Sequence, residues 1–300
     1  MKIMSFTKIL PKPAWLNKKI DLNSCRKIKG LLRDFHLHSV CEESLCPNIS
    51  ECFSCGVATF MILGDICTRG CKFCNINKGR PNLTDSSEPK NIRQAVDKLG
   101  LKYVVITSPT RDDLCDGGAQ IFSDVVKELK SLDSRIKVEL LIPDFLGDIN
   151  CLEKIGNSGA EVIGHNLETV PSLYEKVRKA ADYNRSLGVL KVVKQLKKGI
   201  FTKSGLILGL GEAENEVLQV LRDLRSINCD LLTLGQYLPP SLAHYPLKEY
   251  IDPKKFAFFK DFALKIGFKG VKSAPYVRSS YMAHTLLYEL NPKNPLKDPF

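Results

Sequence analysis

The stretch Thr59-Phe60-Met61-Ile62-Leu63-Gly64-Asp65-Ile66-Cys67-Thr68-Arg69-Gly70-Cys71-Lys72-Phe73-Cys74 decides the fold. Its first half is a short apolar run closed by glycine, which reads as a buried strand. Its second half is C-x3-C-x2-C. Three thiolates on one short loop can wrap an iron–sulfur cluster and leave one iron without a cysteine. A strand that delivers a polar, chemistry-bearing loop at its C-terminal end is the repeating unit of parallel α/β barrels.

A second cysteine group lies upstream. Cys41, Cys46 and Cys52 read C-x4-C-x5-C, so seven of the eleven cysteines fall between Cys41 and Cys74. Closed zinc sites take four ligands. One can be drawn from the pairs Cys52/Cys55 and Cys71/Cys74, but it leaves Cys41, Cys46 and Cys67 without a role. A disulfide framework belongs to small secreted chains with a signal peptide. This chain has 300 residues and no long apolar h-region at its start. Two three-cysteine clusters fit best.

The composition allows one barrel-sized domain with extensions, with 44% of residues apolar. No apolar run approaches the roughly 18 residues that span a bilayer. Residues 1–20 are basic and lack acids, but are Lys-rich rather than Arg-rich as a transit peptide would be. The expectation is a soluble cytoplasmic protein, where thiols stay reduced. The net charge of +11, from 44 basic and 33 acidic residues, favours an acidic partner. The basic clusters at 18–19, 194–203 and 254–260 read as solvated helix faces, and none is an arginine-rich tract for nucleic acid.

From residue 57 apolar runs alternate with amphipathic stretches. Six strands are expected at 59–64, 103–107, 138–142, 161–164, 204–208 and 231–234. Helices are expected at 91–99, 121–132, 151–155, 171–186, 214–226 and 253–266. Strands alternating with helices imply parallel βαβ units. Every expected strand is followed by a polar or glycine-bearing segment. After the cysteines come Ser108 with Arg111-Asp112-Asp113, then Asp144, then His165-Asn166 with Glu168, then Gly209 with Gly211-Glu212, and finally Gln236-Tyr237. An active rim spread over all strands favours a partial (β/α)6 TIM-type barrel over a doubly wound sheet with one switch point. The expected division is an N-terminal extension over residues 1–56, the barrel over 57–269 and a C-terminal extension over 270–300. The extensions are expected to cap the open rim, and the Pro/Lys-rich tail at 292–300 to fray.

The C-x3-C-x2-C loop after a first barrel strand resembles the signature of the radical S-adenosylmethionine superfamily. The run Gly205-Leu206-Ile207-Leu208-Gly209-Leu210-Gly211-Glu212 resembles that superfamily's fifth-strand motif beside the adenine. A wider set of segments resembles one family, lipoyl synthase. It includes Cys41-Glu42-Glu43, Cys46-Pro47-Asn48, Arg111-Asp112-Asp113-Leu114, Leu141-Ile142-Pro143-Asp144-Phe145, His165-Asn166-Leu167-Glu168-Thr169-Val170, Gly235-Gln236-Tyr237-Leu238 and Arg278-Ser279-Ser280-Tyr281.

The resemblance implies two [4Fe–4S] clusters. One is on Cys67, Cys71 and Cys74, with S-adenosylmethionine on its open iron. An auxiliary cluster sits on Cys41, Cys46 and Cys52 and takes its fourth ligand from Ser280 or Ser279. Electron transfer into the sulfonium gives a 5′-deoxyadenosyl radical. Each of two C–H positions of an octanoyl-lysine loses hydrogen to such a radical and gains sulfur from the auxiliary cluster. Phe73, Ser108, Asn166, Glu168, Gly209, Glu212, Gln236 and Tyr237 are the residues the resemblance places around S-adenosylmethionine.

The implied partners are octanoylated lipoyl carrier domains, such as E2 subunits of dehydrogenase complexes and the glycine cleavage H protein. An electron donor of the flavodoxin or ferredoxin kind and an iron–sulfur carrier for cluster repair are implied too. Neither nucleic acid nor membrane is an expected partner. A tRNA-modifying radical enzyme would carry an RNA-binding module, for which 270–300 is too short. A ferredoxin-like carrier would be short, with four cysteines per cluster. Cys55, Cys115 and Met282 depart from the family pattern, and Cys55 forms a C-x2-C pair with Cys52. Cys25, Cys151 and Cys229 read as small buried groups. His36 and His38 have no metal spacing.

Overall fold

A computed structural model of the chain describes residues 10–18, 25–54 and 59–290. Cys55, Lys19 and the expected tail at 292–300 lie outside the described residues.

Among the described residues a 3-10 turn at Ala14–Leu16 precedes α1 (Cys25–Asp34), the two-residue strand β1 (His38–Ser39), α2 (Val40–Glu43) and α3 (Ile49–Ser54). The first barrel strand, β2 (Thr59–Met61), leads into a small parallel ladder of β3 (Ile66–Cys67) and β4 (Asn77–Lys78). Alternation then runs through α4 (Glu88–Leu99), β5 (Tyr103–Thr107), α5 (Ala119–Leu132), β6 (Lys137–Leu141), α6 (Ile149–Gly156) and β7 (Val162–Gly164). It continues through α7 (Tyr174–Val177), α8 (Tyr183–Leu196), β8 (Phe201–Leu208), α9 (Glu214–Ser226), β9 (Leu231–Gln236), α10 (Pro253–Lys265), β10 (Gly270–Ser273) and α11 (Ala283–Glu289).

The main sheet has the order β1-β2-β5-β6-β7-β8-β9-β10. Each pair from β2 to β10 is parallel, and β1 adds antiparallel to β2. The first and last strands do not pair, so the barrel is open. Parallel strands covered on both faces carry continuous apolar runs, and Val104, Val105 and Ile106 are all buried.

The helices attach by stripes. α5 buries Phe122, Val125, Val126 and Leu129, and α9 buries Val217, Val220, Leu221 and Leu224. Both follow the i, i+3, i+4, i+7 spacing of one helix face. Burying each such side chain contributes about 1.5–3 kcal/mol, so these stripes dominate the attachment. Helix ends follow local chemistry. Asp148 accepts from the Asn150 N–H at 2.8 Å to start α6. Gly100, at φ +65°, closes α4.

Two expectations are corrected. The helix expected at 171–186 breaks after Val177, and α8 starts at Tyr183. Arg178 leaves the helix to donate to the carbonyls of Asn166 and Leu167. Asp182 then caps the new helix through the Arg185 N–H at 2.6 Å. A seventh parallel strand, Gly270–Ser273, joins the sheet beside Leu231–Gln236. Gly270-Val271-Lys272-Ser273 offers one strongly apolar residue, too little pattern to read as a strand. The sheet therefore runs past residues 57–269 at both ends.

The base of the barrel is polar. Lys203 and Glu139, both buried, pair at 2.6 Å, and Tyr103 donates to the other Glu139 oxygen. Helix α11 covers this end. Its His284 and Tyr288 rings lie edge-on to Tyr103, and Leu287 packs with Val162 and Leu231.

Candidate functional site: two cavities with a common wall

The C-terminal ends of the strands open onto two adjoining cavities. The smaller, of about 200 Å³, is lined by Cys67, Cys71 and Cys74 from the first loop, with Ser108, Asp144 and Arg178 opposite. The larger, of about 430 Å³, is lined by Cys41 and Cys46 from the N-terminal segment and by Ser279 and Ser280 from the far end. Val40, Phe73, Cys74, Leu141, Asn166 and Glu168 line both. Cys41 and Cys46 of one group and Cys67, Cys71 and Cys74 of the other, separate in sequence, therefore border adjoining cavities, while Cys52 lines neither.

The first loop is fixed by its backbone. The Lys72 N–H donates to the Val177 carbonyl at 2.9 Å, and Lys72 accepts from the Tyr245 N–H at 2.8 Å. Upstream, Leu63 and Gly64 turn through φ +68° and +82°. Glu88 accepts the Leu63 N–H, and Arg111 donates to the Leu63 carbonyl at 2.9 Å. Burial pushes the Glu88 carboxyl up to about 7, against the pull of that N–H. The Arg111-Asp112-Asp113 run thus braces the turn that delivers Cys67.

The thiols are shielded. Burial, then Cys46, pushes Cys41 up to about 12. Burial, with Cys41 and Cys46 adding, raises Cys52 further. Burial pushes Cys74 up to about 12, and raises Cys71 against the opposing charge of Arg178. Thiols so placed become thiolates when a metal displaces their protons. Among the described residues, no three His, Cys, Asp or Glu donors close on a single ion. Thiols of a cubane each serve their own iron, so they stand farther apart than donors sharing one ion.

Two buried polar atoms in the smaller cavity lack hydrogen-bond partners: Ser108 Oγ and Arg178 Nε. The rest of Arg178 is anchored, its Nη1 donating to the Asn166 and Leu167 carbonyls and to the Tyr174 hydroxyl. A buried cation and an uncommitted hydroxyl on the wall of one cavity suit an anionic group of a small ligand. The donor set and these two atoms fit an iron–sulfur cluster with a small zwitterion beside it.

Asn166 and Glu168 form the common wall. Asn166 Oδ1 accepts from the Ser279 hydroxyl at 3.1 Å. Glu168 sits at φ +66°, uncommon for a residue with a Cβ. Its N–H donates to the Gly205 carbonyl and its own carbonyl accepts from the Ile207 N–H, which hold it there. Burial raises its carboxyl and Arg178 opposes that. His165 is buried, its Nδ1 2.9 Å from the Ile142 carbonyl and its Nε2 3.1 Å from Ser186 Oγ. A carbonyl only accepts, so Nδ1 carries the proton.

Not every expected residue reaches the cavities through its side chain. Gln236 spends its amide on backbone: it donates to the carbonyls of Leu208, Tyr237 and Glu249 and accepts from the Ile251 N–H. Tyr237 donates its hydroxyl to the Tyr245 carbonyl at 2.7 Å. Gly209 and Glu212 line neither cavity. Glu212 accepts the N–H groups of Gly209 and Leu210 at 2.6 and 2.9 Å. Gly209, at φ +102°, lies where a Cβ would meet Gln236 Nε2 and the Glu249 carbonyl at 2.4 Å. That motif shapes a turn, and the strand residues before it, Gly205, Leu206 and Ile207, are the ones that line the larger cavity.

The serine turn is also placed by close packing. A Cβ on Gly235 would meet the Val277 carbonyl at 2.0 Å, so the backbone at Val277, where the turn begins, lies directly on β9. Arg178, Asn75 and Thr233 are site residues that sequence reasoning misses. Asn75 donates to the Glu43 carbonyl at 2.7 Å and so joins the two cysteine segments.

Residues 61–224 match the Radical SAM superfamily. The chain is similar to the lipoyl synthase of Caldicellulosiruptor saccharolyticus, 55% identical over 91% of this chain and 96% of the relative. It is also similar to that of Alkaliphilus metalliredigens, 53% identical over 91% of this chain and 94% of the relative. Among solved structures, methylornithine synthase (PylB) matches with a TM-score of 0.52 at 16% identity, over 88% of this chain and 85% of that one. Streptococcus suis SuiB bound to S-adenosylmethionine matches with a TM-score of 0.56 at 12% identity, over 84% and 57%. At those identities the structural likeness speaks to the fold.

Proposed function

The chain belongs to the lipoyl synthase family of the radical S-adenosylmethionine superfamily, and we propose how its own residues divide the work. It is an enzyme that inserts sulfur into an octanoyl group carried on a lipoyl carrier protein, with S-adenosylmethionine and [4Fe–4S] clusters as cofactors. When bound, these cofactors supply hydrogen abstraction and sulfur, two C–H bonds giving way to two C–S bonds.

In this reading Cys67, Cys71 and Cys74 hold the first cluster. Ser108 and Arg178 receive the carboxylate of S-adenosylmethionine in the smaller cavity. Phe73, Asn166 and Glu168 position it against the common wall. Cys41, Cys46 and Cys52 hold the auxiliary cluster, with Ser280 as fourth ligand. Ser279 is engaged by Asn166, which is why Ser280 is preferred. A hard serine oxygen on iron is a weaker match than thiolate and suits a ligand that must leave. The segments carrying the second triad and the serine turn serve as the cap at the rim, whereas β10 extends the sheet and α11 covers the base, so 270–300 as a whole is not a cap. The segment after β9, tied back to Lys72 through Tyr245, keeps water from the chamber.

One observation carries this division: the same six residues line both cavities, so groups held by the two triads face one chamber. The reading extends to E2 subunits and the glycine cleavage H protein as carriers, and to flavodoxin or ferredoxin as electron donor. An iron–sulfur carrier for repair and a cytoplasmic location complete it. Among the described residues no helix is long and apolar enough to cross a membrane. The test is anaerobic reconstitution followed by iron and sulfide analysis and incubation with an octanoyl-lysine peptide. About eight irons per chain and sulfur in the peptide support the reading. Four irons, or zinc in their place, overturn it.

A further inference from the structure

Arg69 stands between Cys67 and Cys71 and is not a ligand. Its side chain is 6% exposed. Nε and Nη2 donate to Asp112 at 2.6 and 2.8 Å. Nη1 and Nη2 donate to Asp144 at 2.9 and 2.7 Å. The guanidinium therefore makes a two-bond fork on each of two carboxylates, a geometry only arginine supplies. Asp144 is itself fully buried and also accepts from Arg185 Nε at 2.8 Å and the Leu146 N–H at 3.2 Å.

The neighbouring residue is clamped as well. The Thr68 N–H and hydroxyl both donate to the Thr110 carbonyl at 3.0 Å, and its Oγ1 accepts from the Asp112 N–H at 3.1 Å. Two consecutive non-ligand residues of the cluster loop are thus bolted to the segments that follow β5 and β6. The bonds of the Arg69 guanidinium and of Thr68 use no thiol, and only the Arg69 N–H reaches one, Cys67 Sγ at 3.4 Å. Ordering a loop costs conformational entropy at every residue. A clamp made during folding removes that cost from metal loading.

We propose that Arg69, Asp112 and Asp144 set the shape of the first cluster loop before iron arrives, with Asp144 as a positioning residue for the cluster. This deepens the assignment of Cys67, Cys71 and Cys74 and rests on it. It also gives a role to two conspicuous carboxylates that the chemistry itself leaves unused. Outer residues of this kind act through the ligands they orient.

The test uses the full chain with Cys41, Cys46 and Cys52 replaced by alanine, so that iron reports one site. In that parent, Asp144→Asn and Arg69→Lys are reconstituted anaerobically at limiting iron and sulfide. Iron retained after desalting is read with the change in the reduced cluster's electron paramagnetic resonance on adding S-adenosylmethionine. Both variants should hold iron about 10-fold less tightly, and the spectral change should fade. In the chain with all cysteines restored, the second triad should still fill, which separates a loop defect from a folding defect. If Asp144→Asn empties both sites, Arg69→Lys decides, because it keeps every charge and loses only the double fork. Parent-level iron in Asp144→Asn or in Arg69→Lys overturns the proposal. A parent that binds no iron overturns the cysteine assignment instead.

Discussion

The hydroxyl of Tyr281 donates to the Glu51 carboxylate at 2.6 Å. Glu51 precedes Cys52, and Tyr281 follows the two serines, so this bond joins the second cysteine triad to the serine turn across 230 positions. Lys18 strengthens the junction. Its Nζ reaches Glu51 at 2.5 Å and Asn48 at 2.6 Å, and lies 5.0 and 5.7 Å from the Tyr276 and Tyr281 ring centroids. Asn48 donates to the Tyr276 carbonyl at 2.7 Å. The segment at 48–52 and the turn at 276–281 are thus joined beside the larger cavity, which Cys46, Ser279 and Ser280 line.

Replacing Cys67, Cys71 or Cys74 with alanine should abolish reductive cleavage of S-adenosylmethionine. Chromatography of 5′-deoxyadenosine checks this. Normal formation by any one variant removes that cysteine from the ligand set.

Cys41→Ala, Cys46→Ala and Cys52→Ala should behave differently. They should still form 5′-deoxyadenosine but leave the octanoyl chain without sulfur, since only the sulfur source is lost. The comparison variant is Cys55→Ala. If it alone shows this pattern while Cys52→Ala inserts sulfur, the third ligand is Cys55.

Ser280→Ala should lower sulfur insertion by at least about 10-fold, the size expected when a metal site loses a supporting group. Cleavage of S-adenosylmethionine should persist. Ser279→Ala should be milder, because its hydroxyl serves Asn166. The reverse order would exchange the two roles and leave the architecture in place.

Glu88 gives a pH prediction. Its carboxyl is raised from 4.5 to about 7, chiefly by burial, with Asp85 adding and the Leu63 N–H, His38 and Arg111 opposing. A raised folded value means the folded state binds more protons between pH 4.5 and 7, so stability falls as pH rises through that window. Glu88→Gln keeps an acceptor for the Leu63 N–H and has no charge to desolvate. It should flatten this part of the stability profile, by up to about 3 kcal/mol across the window. Anaerobic thermal unfolding against pH reads it, and an unchanged slope contradicts it.

Much of the fold is legible because the chemistry sits at strand ends. Residues 103–107 and 214–226 fall where periodicity puts them, since each element carries its own pattern. Gly270–Ser273 is not legible, because its strand character comes from pairing with Leu231–Gln236. Arg178 looks like any surface arginine in sequence. Only the helix break at Asp182, itself a readable cap, hints that it turns inward. Spacing alone singles out the cysteines, and the structure places five of the six in the walls of the two cavities. Glu212 and Gln236 are legible as polar residues on the rim, but sequence does not reveal that backbone N–H and C=O groups consume their side chains.

The central claim is that both triads serve one chamber, with sulfur leaving the second for a substrate activated at the first. The direct measurement reconstitutes the chain with heavy-isotope sulfide, desalts it, and adds S-adenosylmethionine, reductant and an octanoyl-lysine peptide in buffer with light sulfide. Mass spectrometry of the peptide should show two heavy sulfur atoms in place of two hydrogens, and Cys41→Ala should show none. Light sulfur in the product, or heavy sulfur from Cys41→Ala, would contradict the account.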